Sequence, residues 1–273
     1  MKLRTPLLLF FLFCSFAVFA QGPPVSAKGP TEKEKKVKNP IAKIQGDSII
    51  PCFALSFSYA AQLPGGDLLY RFGSNSTIGI GLSYKTRNNW LYTGQWSYLF
   101  GKDLHGENPL DSISTDNGFV IDREGKMADI RMFERGFTLG LTAGKIFNGF
   151  MSPNKNSGFI LSGGLGYLQH KIKIYDNGAR SPQFNKELLK GYDRLTSGIA
   201  TTEFFGYVYL SRNRYINFYG GFEFYQGFTK SRRSWDYSLM RADTENRIDL
   251  LSGFRVGWIL PLYKTPARTK YYY

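Results

Sequence analysis

Three charged side chains stand out inside segments of this 273-residue chain that are rich in apolar, aromatic and small residues. Glu203, Glu223 and Arg255 each stand in a stretch where apolar residues alternate with polar ones. A charge held away from water is costly unless an opposite charge or hydrogen-bond partners accompany it. We therefore predict one cluster, Glu203–Arg255–Glu223, which either neutralises the interior that it occupies or acts as a gate or proton-sensitive plug.

Histidine is scarce, and this limits the hydrolytic chemistry that the chain could perform. A serine hydrolase needs a base hydrogen-bonded to its nucleophile, and histidine is the usual base. The chain has only His105, in a long acidic segment, and His170, in an alternating one. The acidic residues around His105 lack the close spacing of a calcium loop. We predict no catalytic residue, no metal site and no cofactor.

The elements that must position these residues are alternating segments that begin after about residue 50. We predict eight strands, at 52–61, 77–85, 90–100, 136–147, 158–172, 199–210, 215–228 and 247–262. The connections at 86–89, 148–157 and 211–214 are short, and those between them are long. Because a strand in lipid must have its backbone fully paired, the pattern predicts an all-β fold, an eight-stranded antiparallel up-and-down transmembrane β-barrel over residues 49–263.

Alternation also assigns a face to each side chain. In the second strand Ile78, Ile80 and Leu82 are expected to face lipid, with Gly79 and Gly81 in the lumen. The sixth strand is interpreted in the same way. Its apolar Phe204, Val208 and Leu210 are assigned to lipid, and Glu203, Tyr207 and Tyr209 to the lumen. An eight-stranded barrel is just wide enough for its own side chains, so an open diffusion pore is not expected.

A basic and aromatic group follows the seventh strand. Its members are Arg232, Arg233, Trp235 and Arg241. Arginine pairs phosphate oxygens in a bidentate manner, and tryptophan prefers the membrane interface. The group therefore suggests contact with lipopolysaccharide phosphates, although ordinary interfacial anchoring accounts for the same residues.

The chain ends carry targeting and tail signals. Lys2 and Arg4 precede an apolar run at 7–19 that closes at Ala20, which predicts a signal peptide over residues 1–20. Residues 21–48 are rich in Lys, Glu and Pro and are expected to form a disordered basic periplasmic tail. Residues 264–273 are expected to form a periplasmic aromatic tail. The net charge of +14 favours anionic lipid over nucleic acid as a partner.

The chain resembles the small outer-membrane β-barrel proteins of Gram-negative bacteria. The signal peptide, the last strand from Phe254 to Tyr263 and the closing tyrosines carry the resemblance, and the aromatic- and glycine-rich style is similar to that of Bacteroidota barrels. It implies a location in the cell outer membrane with both termini periplasmic. In this class a terminal aromatic residue is recognised by the barrel-assembly machinery, and Tyr263 and Tyr273 are both candidates.

Three functions are compatible with such a barrel. The favoured one is a structural or interaction barrel, an accessory subunit of an envelope complex for secretion, gliding or barrel assembly, in contact with outer-membrane lipid. A small gated channel or transporter would need a continuous polar lumen. A lipid-acting outer-membrane enzyme is the third, but the His-x-Ser motif of lipid A deacylases is absent at both histidines, so we predict that the chain is not an enzyme.

Overall fold

The computed structural model describes residues 49–106, 108–149, 152–178, 184–185, 187–211 and 215–262. The predicted signal peptide and basic tail at 1–48, together with Tyr263 and the aromatic tail at 264–273, lie outside this part of the chain.

Eight antiparallel strands form a closed barrel in which each strand pairs with its neighbours in sequence and the last strand pairs with the first. This confirms the predicted fold. The strands are β1 Cys52–Gly66, β2 Asn75–Lys85, β3 Trp90–Gly101, β4 Ile130–Phe147, β5 Gly158–Asp176, β6 Thr196–Leu210, β7 Asn217–Ser231 and β8 Asn246–Leu262. None of the helices in the described residues is long and apolar enough to cross a membrane.

The barrel has a turn end and a loop end. The turn end carries the connections 86–89, 148–157 and 211–216, and the loop end carries 67–74, 102–129, 177–195 and 232–245, of which the last three are longer than any connection at the turn end. β4 begins at Ile130 and β5 continues to Asp176, so this hairpin extends further toward the loop end than predicted. Backbone pairing does not depend on lipid, and strands can continue past the apolar band that guided the prediction.

The register sets the tilt of the strands. A row of paired residues that starts at Cys52 passes once around the barrel and returns to β1 at Gln62, ten residues further toward the loop end. A stagger of this size over eight strands corresponds to a tilt of about 40°. Because the register and the tilt are known, the positions of residues on different strands can be compared along the barrel axis, and we call this position the depth.

Buried and exposed side chains alternate along the strands, and the faces predicted for the second strand are confirmed. β6 is the exception, because its predicted faces are reversed. Phe204 lies in the lumen, where its Cζ atom would be only 2.8 and 2.9 Å from a Cβ at Gly206 and Gly221. The two glycines make room for this ring, and the neighbouring Glu203 consequently faces outward.

The lumen is filled from both ends. At the loop end Leu68 and Phe72 fold inward and pack with Leu99, Leu168 and Leu251. At the turn end Ile146, Ile160, Val208, Leu210 and Ile259 form a second apolar cluster. Val208 and Leu210 therefore seal the lumen, while Tyr207 and Tyr209 belong to the outer face at the turn end. A polar layer lies between the two clusters.

Candidate functional site

The polar layer of the lumen is centred on Arg255 of β8. Its Nε donates to Glu223 Oε2, and both residues are only 2% exposed. Nη1 donates to Ser58 Oγ at 2.7 Å and Nη2 lies 3.4 Å from Thr77 Oγ1. Gln62 Nε2 donates to Glu223 Oε1 at 2.7 Å. The ion pair is thus held by side chains from β1, β2, β7 and β8, which fixes it across the barrel.

Glu203 makes no hydrogen bond or ion pair with Arg255 or Glu223 in the described structure, so the predicted three-residue cluster is reduced to a pair, although Glu203 is among the residues that line a neighbouring cavity. Glu203 is at nearly the same depth as Arg255, but it lies on the opposite side of the barrel wall because the faces of β6 are reversed. Its Oε2 atom is buried without a hydrogen-bond partner among the described residues. The lumenal site is therefore an Arg255–Glu223 pair with hydroxyl and amide partners.

A cavity of about 90 Å³ lies between this ion pair and the turn-end cluster. Its lining includes Arg255, Glu223 and Lys85, together with apolar residues of the turn-end cluster. A volume of this size holds a few water molecules. The loop-end cluster lies above the ion pair, on the side away from this cavity.

His170 occupies a second buried polar site near the loop end. Its Nε2 lies 2.9 Å from Asp249 Oδ2, and both side chains are 1% exposed. Thr229 Oγ1 also donates to Asp249, whereas His170 Nδ1 has no partner in the described residues. The hydroxyl therefore contacts the acid and not the base, which is not the order of a nucleophile, base and orienting acid.

Two further charged residues are buried in the lumen and were not singled out from the sequence. Glu134 accepts a hydrogen bond from Asn75 Nδ2 at 3.1 Å. Lys85 donates to Asn156 Oδ1 at 2.9 Å, which ties β2 to the connection 148–157. Within the described ranges neither has an ion-pair partner. Their inward positions follow from alternation, but their partners come from distant parts of the chain.

The long connections are held together by ion pairs at the loop end. Asp243 lies 2.9 Å from Arg247 and 3.5 Å from Arg71. Burial opposes ionisation of Asp243, but its hydrogen bond and ion pair with Arg247 outweigh this effect and keep the pKa of the carboxyl below its ordinary value. Burial and the nearby Arg247 and Arg194 lower the pKa of Arg71. These contacts fix the connection 232–245 against the mouth of the barrel.

The four residues predicted to contact lipopolysaccharide have different environments. Arg233 is paired with Asp193, and Arg241 pairs with Glu245 at 3.3 Å on the surface. Trp235 is exposed. Arg232 lies against the outer wall, where its Nε donates to Ser197 Oγ at 2.8 Å. Of this group, Arg232 is the one that the structure places on the lipid-facing wall.

Further cations lie near Arg232 on the same wall, just beyond the outward aromatic residues of the loop end. We call this set the basic belt, and it consists of Arg131, Arg135, Lys171, Lys173, Lys230 and Arg232. Alternation shows that the strand members point outward, because Glu134, His170, Ile172 and Thr229 beside them are buried in the lumen. The signal in the sequence is basic residues spaced two or four apart at strand ends.

Positively charged side chains of the basic belt lie close to one another. Arg135 and Lys171 are directly opposed on β4 and β5, an arrangement that destabilises a sheet. The Arg135 guanidinium donates to the backbone oxygens of Glu134 and Gly101 and lies 4.9 Å from the Phe133 ring centroid. Lys171 is 4.0 Å from Asp193, which Arg233 also contacts. The belt therefore has a surplus of positive charge.

Within the described residues no group of three or more His, Cys, Asp or Glu side chains is arranged to hold a metal ion.

No protein-family model matches the chain, and no curated protein sequence matches it significantly. Among solved structures, neisserial surface protein A is 11% identical with a TM-score of 0.40, and the match covers 77% of this chain and 97% of that one. The attachment invasion locus protein Ail of Yersinia pestis has the same identity and TM-score over 77% and 99% of the two chains. The N-terminal barrel domain of Pseudomonas aeruginosa OprF is 10% identical with a TM-score of 0.35, over 77% and 99%. Similarities of this size do not indicate the function of this chain, whose barrel topology is established by its own strand pairing.

Proposed function

We propose that this chain is a structural and interaction barrel of a Gram-negative outer membrane that binds phosphorylated lipid, such as lipopolysaccharide, at its loop end. In this proposal the loop end faces outward from the cell and both termini are periplasmic. The barrel acts as an accessory subunit of an envelope assembly, for example one for secretion, gliding or barrel insertion, and has no enzymatic activity. The basic belt is the observation that carries the proposal.

The position of the belt suits the headgroup layer of a bilayer. Outward aromatic residues at the loop end, among them Tyr98, Phe137, Tyr167 and Phe228, mark the upper edge of the apolar band. Arg135 and Lys171 lie directly above this edge. Phosphate groups at that level would offer a counter-charge to Arg135 and add to the Asp193 carboxylate that Lys171 shares with Arg233, and arginine can bind them through two parallel hydrogen bonds.

The lumen gives little support to the alternative of a gated channel or transporter. Packed apolar clusters lie on both sides of the Arg255–Glu223 pair. The arrangement of His170, Asp249 and Thr229 likewise gives little support to a lipid-acting hydrolase, because the hydroxyl does not contact the histidine. The chemistry that remains accessible is on the outer wall and the loops.

Lipid binding by the purified barrel tests this function. We expect diphosphorylated lipid A to raise the melting temperature in detergent, and the double variant Arg135→Gln/Lys171→Gln to weaken the binding by about thirtyfold, since each of the two charge-assisted contacts is worth roughly 1 kcal/mol. Lys126→Gln is the matched control, because Lys126 pairs with Glu124 in an exposed loop. Equal binding by all three proteins, or equal binding of dephosphorylated lipid A, would contradict the proposal.

The subunit role and the channel alternative need separate measurements. We expect crosslinking in the native envelope to recover a stoichiometric partner, and recovery of the barrel alone would exclude the subunit role. Discrete conductance steps in planar bilayers would instead favour the channel.

A further inference from the structure

Glu203 is an acidic residue on the lipid-facing wall of the barrel. Thr202 and Phe204 on either side of it face the lumen, where the Thr202 Cγ2 atom lies close to Gly166 and the Phe204 ring lies close to Gly221. Glu203 is paired across the ladder with Gly163 on β5 and Phe224 on β7. Its outward neighbours Leu161, Leu165, Phe205, Phe222 and Phe224 are all exposed apolar residues.

The depth of Glu203 places it in the middle of the apolar band. It stands at the centre of β6, seven residues from either end. With a tilt of about 40°, Tyr207 at the turn end lies roughly 10 Å below it. An ionisable side chain on the lipid-facing surface at this depth is rare and unfavourable.

The barrel does not compensate this carboxyl group. Oε2 is buried and has no donor among the described residues, while the residue as a whole remains partly exposed. The surroundings are otherwise small or uncharged. Gly163 and Ala143 follow Glu203 along one row of paired residues on β5 and β4, and both are exposed. A Cβ at Gly163 would meet nothing nearer than 3.9 Å. Small residues on a membrane-embedded protein surface let the backbone of another membrane-embedded segment approach closely.

A second copy of this chain is poorly suited to cover the site. A two-fold axis along the membrane normal preserves depth, and the described cations of the outer wall lie at other levels. Lys145, near the Trp90 and Phe147 rings, is roughly 11 Å lower than Glu203, and Arg135 roughly 14 Å higher, by the same tilt and rise per residue. Lipid chains cannot donate a hydrogen bond at all.

We propose that the wall around Glu203, formed by Ala143, Gly163, Thr201 and Glu203, docks a membrane-embedded segment of a partner protein that presents a basic or amide side chain to the Glu203 carboxyl at mid-bilayer depth. The partner is recognised by charge and hydrogen-bond complementarity and by close approach over Gly163. This inference rests on the proposed subunit role and identifies the surface that performs it.

Site-specific photocrosslinking of the full chain in its native envelope tests the inference. A photoreactive residue at Gly163 or Thr201 should yield one discrete product, and Ile80 on the far wall is the matched control that should not. The crosslinked peptide should come from a membrane-spanning segment with Arg, Lys, His, Asn or Gln beside the link.

Glu203→Leu should reduce the yield by about tenfold, as expected for losing one polar contact in a membrane. Glu203→Lys should be rescued when the partner's basic residue is changed to Glu.

Stability measurements separate a docking role from a structural one. The purified Glu203→Leu barrel should be as stable as the parent or more so, because the carboxyl has no internal partner to lose. A marked loss of stability would make Glu203 structural and overturn the inference. A product with twice the mass of the chain, a yield unaffected by Glu203→Leu, or no product at Gly163 and Thr201 would also overturn it. If lipid A binding persists while this crosslink is absent, the docking surface is wrong and the lipid-binding function stands.

Discussion

Two glutamates at nearly the same depth, on opposite sides of the barrel wall, have opposite environments. Glu223 in the lumen receives hydrogen bonds from Arg255 and Gln62. Glu203 on the outer wall leaves one oxygen without a donor in the described structure. At this depth the lumenal Glu223 is thus satisfied by the barrel's own Arg255 and Gln62, whereas the outer wall leaves charges at Glu203 and in the basic belt that external groups could satisfy. In our proposal the lumen maintains the fold and the outer wall is the surface for interaction.

The largest effect should come from breaking the lumenal ion pair. Arg255→Met leaves the buried Glu223 carboxylate without its cation, and we expect a loss of about 3–5 kcal/mol in the free energy of unfolding. Urea titration of the folded barrel, followed by its heat-modifiable mobility on gels, measures this. The double variant Arg255→Met/Glu223→Met should recover most of the loss. An unchanged unfolding midpoint for Arg255→Met would show that the lumen does not depend on its ion pair.

Gly221 in the lumen and Gly163 on the outer wall give a second comparison of the two faces of the barrel wall. In Gly221→Ala the new Cβ would lie 2.9 Å from Phe204 Cζ and 2.3 Å from the Phe205 backbone oxygen. We expect this crowding to destabilise the barrel by about 1–3 kcal/mol. Gly163→Ala adds the same methyl group to open space on the outer wall and should be neutral. Equal effects in thermal unfolding would contradict the assignment of Phe204 to the lumen.

The smallest effect is expected from two matched threonines. Thr229→Val removes a hydroxyl that donates to the buried Asp249, and we expect a loss of about 1.5 kcal/mol, the lower end of the range for hydrogen bonds to charged groups, because His170 still contacts the carboxylate. Thr201→Val on the outer wall replaces a half-buried hydroxyl and should be neutral or slightly stabilising. The same urea titration measures both variants. A greater loss for Thr201→Val would mean that the outer wall also contributes to stability through its polar groups.

The sequence by itself determined the fold class and most of the strand faces. Period-two alternation identifies which residues share a face, and long runs such as Ile78, Ile80 and Leu82 indicate which face meets lipid. The inward positions of Glu223 and Arg255 followed in the same way. Strand ends were less certain, because pairing in β4 and β5 continues beyond the apolar band.

Only the tertiary structure decided the faces of β6 and, with them, the site. Both faces of this strand are apolar in part, since Phe204 stands next to Phe205 and Val208 next to Tyr207. The pattern therefore does not distinguish lipid from lumen. The choice depends on Gly206 and Gly221, which leave space for the Phe204 ring, and on Val208 and Leu210 closing the turn end of the lumen. The basic belt likewise required the register, because Arg135 and Lys171 are 36 positions apart in sequence and become neighbours only when β4 pairs with β5.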